Sequence, residues 1–144
     1  ECELLAVGRL PLADSARCFT AYNRNLGKDD CQFCCGDYPD GLVISTQDSV
    51  SFLALNGIQT QSANTHNLLS ALDEVSQLGV DLLRISPQSQ HTADIVRVFA
   101  DCLTGDLDPE QGTVQLAGWA PTGLCDGYWS GQAGIATALA ASKK

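Results

Sequence analysis

The chain has 144 residues, 17 acidic against 8 basic, and a formal net charge of -9. That balance argues against a surface of clustered Lys and Arg of the kind that displaces counterions from nucleic acid. At 44% hydrophobic and 17% charged the composition is globular, which excludes disordered and collagen-like chains. No apolar run reaches the eighteen residues that a membrane-spanning helix needs.

Methionine is absent and the chain opens at Glu1 beside an apolar run. These two features predict a piece of a larger protein, its N-terminal part lying before Glu1, and the length suits one domain or part of one. Residues 2–7 (CELLAV) predict a buried strand ended by Gly8. Residues 9–40 lose periodicity and hold four of the seven cysteines, so a long functional loop is expected there. Residues 42–46 and 50–55 flank Gln47-Asp48-Ser49 and predict a β-hairpin.

At residues 64–78 the period switches to helical, with Leu68, Leu69, Leu72, Val75 and Leu78 on one face. Ser62 or Asn64 suits the start of that helix, and Gly79 the left-handed position after its end. Residues 80–86 predict a strand stopped by Pro87. Residues 93–103 predict a second amphipathic helix, with Ile95, Val96, Phe99 and Leu103 inward and Gly105 after it. Residues 106–118 read as an acidic loop and residues 126–141 as an Ala-rich helix. This order is α/β. With few core strands it predicts the C-terminal half of a TIM-like (β/α) barrel that carries a Cys-rich loop and an inserted hairpin. Residues 1–144 would then be the later part of a single barrel-like domain.

Seven cysteines, three of them crowded at Cys31, Cys34 and Cys35, favour thiol ligands in a reducing compartment over a disulfide framework. The cytoplasm is the expected location. Cys18, Cys31 and Cys35 are separated by twelve and three residues, and thiolates are the soft donors that iron–sulfur clusters and zinc both take. Three other readings stand beside a cluster. Zinc suits the C-x-x-C of Cys31-Gln32-Phe33-Cys34 but finds no second knuckle. A redox dithiol suits the same motif, although no strand-to-helix junction is expected there. Cysteine also packs as a small apolar residue. Radical S-adenosylmethionine chemistry is excluded, because C-x-x-x-C-x-x-C would need a cysteine where Tyr38 stands. Cys2 and Cys102 read as packing residues, and Cys125 is left unassigned.

Three segments carry a resemblance: residues 9–35 (RLPLADSARCFTAYNRNLGKDDCQFCC), residues 55–60 (LNGIQT) and residues 83–88 (LRISPQ), followed by Asp126-Gly127-Tyr128-Trp129. In this order they resemble the ubiquinone-biosynthesis branch of the collagenase-like peptidase superfamily. The resemblance implies a barrel-like α/β fold and a [4Fe–4S] cluster held by Cys18, Cys31 and Cys35, with a fourth ligand outside this chain. It further implies a part in oxygen-independent hydroxylation of prenylated aromatic quinone precursors, with prephenate as oxygen donor and the related protein UbiU as heterodimer partner. A peptidase with a structural metal site and a related RNA-hydroxylation factor are the alternatives. Proteolysis has no residues to run on, since His66 and His91 stand alone and no Ser/His/Asp set is present.

Strand ends build active sites in barrels. Arg84, Ser86 and Gln88 are therefore expected to line a substrate site, with Asn56 and Gln59. Arg84 shares a strand face with Ser86, opposite Leu83 and Ile85. In a barrel it would point inward and bind a carboxylate in a bidentate pair. A solvated or ion-paired strand arginine is the competing expectation.

Overall fold

The computed structural model describes residues 1–137. It is a mixed α/β fold with six strands, four helices and two short 3-10 turns. The strands are β1 (Glu3–Asp14), β2 (Leu42–Ser45), β3 (Ser51–Asn56), β4 (Gln59–Asn67), β5 (Leu82–Ile85) and β6 (Leu124–Cys125). The helices are α1 (Phe19–Asn23), α2 (Leu72–Gln77), α3 (Thr92–Thr104) and α4 (Pro109–Trp119). Hydrogen bonding joins the strands in the order β2-β3-β4-β1-β5, with β6 beside β4, so the sheet is open rather than closed. Antiparallel β2, β3 and β4 set it apart from the all-parallel strands of a barrel.

The chain divides into two compact units, one of residues 1–8 with 65 onward and one of residues 9–64. In the first, the start of β1 runs parallel to β5, Leu4 opposite Leu83 and Leu5 opposite Arg84. The end of β4 runs parallel to β6, with His66 opposite Cys125. Ala6, Val7, Leu69, Leu72, Ile95, Val98, Phe99 and Leu116 form the core, and Leu83, Ile85, Cys102 and Trp119 pack against it. At Gly112 on α4 an added Cβ would meet Leu69 Cδ2 at 2.6 Å and Val98 Cγ1 at 3.0 Å, so only glycine permits this helix contact. Helix α4 stands where an acidic loop was expected. Asp108 caps it, its Oδ1 accepting from the Glu110 and Gln111 N–H groups at 2.9 and 3.2 Å, and Pro109 opens the first turn.

The helix expected over residues 64–78 is shortened to α2, preceded by the 3-10 turn Leu69–Ala71. Residues 59–67 are strand instead, because β3 supplies a partner for their backbone: Asn56 lies opposite Gln59 and Leu53 opposite Ser62. The apolar spacing still served burial, since Leu68, Leu69, Leu72 and Val75 are buried, but Leu78 is exposed. Gly79 takes the expected left-handed conformation, at φ +74. Helix α3 runs one residue further at each end than expected. It turns Val98 inward and leaves Val96 and Leu103 exposed. Residues 126–137 form turns and no helix; the rest of the expected Ala-rich helix lies outside the described residues.

In the second unit the hairpin forms as expected. Leu42 faces Leu55, and Thr46 and Val50 close the loop, the Thr46 N–H donating to Val50 O at 2.8 Å. Strand β1 continues through residues 9–14, where loss of periodicity predicted loop; the Leu10 N–H donates to Ser62 Oγ of β4 at 2.9 Å. The Cys-rich segment then holds α1 and the 3-10 turn Cys34–Asp37.

Candidate functional site

The Cys-rich segment is built on two short turns of helix that pack against each other. Arg24 clamps them. Its Nη2 lies 2.9 Å from Asp37 Oδ2 and 3.4 Å from the Tyr38 hydroxyl, and its guanidinium sits 5.7 Å from the centre of the Tyr38 ring. The Tyr38 hydroxyl and the Asp37 carboxylate both raise the Arg24 pKa, which keeps the clamp charged. Arg17 adds a second brace, donating to Leu26 O at 2.7 Å while lying 5.0 Å from the centre of the Tyr22 ring. Arg9 donates to Asp40 O at the far end of the segment. Burial lowers the Arg9 pKa against the pull of Asp40, and its buried Nη2 has no hydrogen-bond partner.

Within this frame Cys18 stands immediately before α1 and Cys35 lies in the 3-10 turn. Cys18 makes no formal capping hydrogen bond, yet its sulfur faces the N–H groups of Ala21 and Thr20. The N–H of Ala21 is the chief cause that holds the Cys18 thiol below its ordinary pKa; partial burial opposes it, and Thr20 and the Cys35 thiol assist. The neighbour that acts on Cys18 is thus Cys35, not Cys34. Cys34 is buried, and Cys31 and Cys35 are half-buried. Between Cys31 and Cys34 the chain makes a tight turn closed by the Cys34 N–H on Cys31 O at 3.3 Å. Gln32 and Phe33 in that turn both take positive φ, +54 and +50, a conformation that costs about 1–2 kcal/mol per side chain.

Two thiols in mutual contact and a third beyond the turn fall short of the four donors an iron–sulfur cluster takes. Among the described residues no group of three or more His, Cys, Asp or Glu side chains is arranged to hold a metal ion. Of the remaining cysteines, Cys2 is exposed, contrary to its expected packing role, whereas Cys102 packs against the core. Cys125 is buried, and desolvation pushes its thiol up to about 11. It belongs to the other unit.

The expected substrate residues divide between the units. Arg84 does lie opposite Leu83 and Ile85, but its face is exposed instead of enclosed, and its Nη1 pairs with Glu3 Oε1 at 3.5 Å. The carboxylate partner is therefore a neighbouring strand's own glutamate. Ser86 packs against Gly8, where an added Cβ would meet its Cβ at 2.4 Å, and its N–H donates to Val7 O. Gln88 donates from Nε2 to Trp119 O at 3.0 Å and exchanges two hydrogen bonds with Thr92. Asn56 and Gln59 face each other where β3 turns into β4, in the other unit, and Gln59 Oε1 accepts from Gln61 at 2.8 Å.

Neither histidine is the loop or helix residue expected. His91 precedes α3 with φ +61, stacks on Trp119 at 5.3 Å and meets Asp94 at 3.2 Å. His66 is buried on β4; burial lowers its pKa against Asp126, and its Nδ1 has no hydrogen-bond partner. Near it Asn67, Ser70, Thr113, Cys125 and Asp126 line a cleft with room for about one water molecule. Arg24, Asp37 and Tyr38 were not singled out from the sequence. Their only signal was opposite charge on either side of the cysteine cluster, at a separation that no local rule reads. No protein-family model matches this chain, and no solved structure matches it.

Proposed function

We propose that the chain is the iron–sulfur part of an oxygen-independent hydroxylation system acting on ubiquinone precursors. In this reading it is a counterpart of UbiV, working in the cytoplasm as a heterodimer with UbiU and taking prephenate as oxygen donor. The open mixed sheet is read as the later part of a TIM-like barrel. One observation carries the proposal: two thiols seventeen positions apart, Cys18 and Cys35, meet in a segment whose turns are held by Arg24. The motif resemblance over residues 9–35 supports it. A [4Fe–4S] cluster would be held by Cys18, Cys31 and Cys35 with a donor outside this chain, and when bound it supplies one-electron redox chemistry. The chain's own residues keep the segment closed through Arg17 and Arg24 and set Cys18 against backbone N–H groups that favour its thiolate. No step is derived through the cluster, because the arranged donors are too few. For Arg84 to bind a donor carboxylate it must first leave Glu3.

A second reading, a metal that only braces the unit, is favoured by the small side chains at its centre: Thr20, Ala21, Cys34, Ala54 and Ala63. The test is anaerobic reconstitution of the heterodimer, followed by iron analysis and turnover of a ubiquinone precursor with prephenate. Cys18→Ser and Cys35→Ser should lose most of the iron and the hydroxylation, whereas Cys102→Ser and Cys125→Ser keep both. Iron bound at full occupancy with no turnover in any pairing would favour the bracing reading. Iron retained in both Cys18→Ser and Cys35→Ser would sink the ligand assignment.

A further inference from the structure

The contact between Cys18 and Cys35 has a use that needs no metal. Both cysteines are half-buried, so each is accessible to a small reagent, while Cys34 beside them is buried. Their backbones sit on α1 and on the 3-10 turn, which pack together under the Arg24 clamp to Asp37 and Tyr38. The clamp holds the two thiols as neighbours without help from a ligand.

We propose that Cys18 and Cys35 form a reversible disulfide, a redox modification site that closes residues 18–35 into a loop when no metal occupies the thiols. The oxidant is a low-molecular-weight disulfide of the glutathione class. One thiol, as thiolate, attacks a sulfur of that disulfide and releases one reduced thiol, leaving a mixed disulfide on the protein. The second protein thiol then attacks the sulfur of the first and expels the other reduced thiol. One protein S–S bond forms and one reagent S–S bond breaks. Two electrons pass to the reagent, and the two thiol protons end on its two released molecules. In a reducing compartment such a bond is transient and acts as a sensor rather than a staple. Each thiol can serve the disulfide or a metal but not both, so oxidation removes the pair from any metal site. The disulfide follows from the clamp and the contact alone, whatever the fate of the iron–sulfur reading.

The experiment uses the full chain, stripped of metal by a chelator, fully reduced and then equilibrated in glutathione buffers of rising oxidised fraction. The expected result is an intact mass lower by two hydrogens and restored by dithiothreitol. Fragmentation of the linked peptide should place the bridge between Cys18 and Cys35, with Cys34 still alkylated after unfolding. Cys34→Ser should keep the bridge, whereas Cys35→Ser should carry a mixed disulfide on Cys18. A bridge between Cys31 and Cys34, a bridge from Cys18 to Cys34, or mixed disulfides alone in the unmutated chain would each overturn the proposal. Iron loading of the reduced chain, measured separately, reports on the iron–sulfur reading and leaves this result unaffected.

Discussion

The two units of the chain are stabilised with different materials. The unit of residues 1–8 and 65 onward buries Val7, Leu69, Leu72, Ile95, Val98, Phe99 and Leu116, each worth roughly 1.5–3 kcal/mol when taken from water. In the unit of residues 9–64, no buried side chain is larger than cysteine or threonine: Thr20, Ala21, Cys34, Ala54 and Ala63. That unit relies on ladder hydrogen bonds and on arginines bonded to carbonyls and carboxylates. The contrast teaches where chemistry is available. Thiols and cations exposed on turns can serve a ligand or a redox reaction, while aliphatic side chains in a packed core cannot.

The largest effect that would break this contrast belongs to the aliphatic core. Phe99→Ala should lower the unfolding free energy by about 3–5 kcal/mol. Urea unfolding followed by tryptophan fluorescence measures it, Trp119 packing on that core. A loss below about 1 kcal/mol would mean that the core is not where most of the stability resides.

A pH effect of intermediate size sharpens the contrast from within the same unit. Burial lowers the pKa of His66 in the folded chain from its ordinary 6.5. Below that value the unfolded chain takes up a proton that the folded chain refuses, so the His66 contribution is full above about pH 6.5. It is lost as pH falls toward the folded pKa, with a slope of at most about 1.4 kcal/mol per pH unit. Comparing urea midpoints of the native chain and His66→Gln between neutral and mildly acidic pH tests this. Equal slopes in the two proteins would remove His66 from the account.

The smallest effect has the opposite sign and falls in the Cys-bearing unit. Phe33 is 83% exposed and holds φ +50, so its side chain contributes strain with little burial. Phe33→Gly should stabilise the turn by up to about 1 kcal/mol, reduced by the added freedom of glycine in the unfolded chain. Hydrogen exchange of the Cys34 N–H, bonded to Cys31 O, reads it locally. Faster exchange in the variant would show that the ring holds the turn through contacts of its own.

Much of the local structure could be read from the sequence because it depends on neighbours in the chain. The hairpin of β2 and β3, the position of α3 and the left-handed glycines at Gly79 and Gly105 follow from alternation, helical spacing and steric freedom. Helix α4 was open to the same reading, since Asp108-Pro109-Glu110-Gln111 is a helix start; the acidic composition masked it.

The rest depended on residues far apart in sequence. Strand β4 has too few apolar residues to announce itself, and it is a strand because β3 offers its backbone hydrogen bonds. Arg84 has the alternation expected of it, but whether its face is enclosed is decided by other strands, and Glu3 answers its charge. Spacing named Cys18 and Cys35 as a pair worth watching. Only the packing of α1 on the 3-10 turn, held by Arg24, puts Cys35 and not Cys34 beside Cys18, because adjacent residues in a tight turn point in different directions.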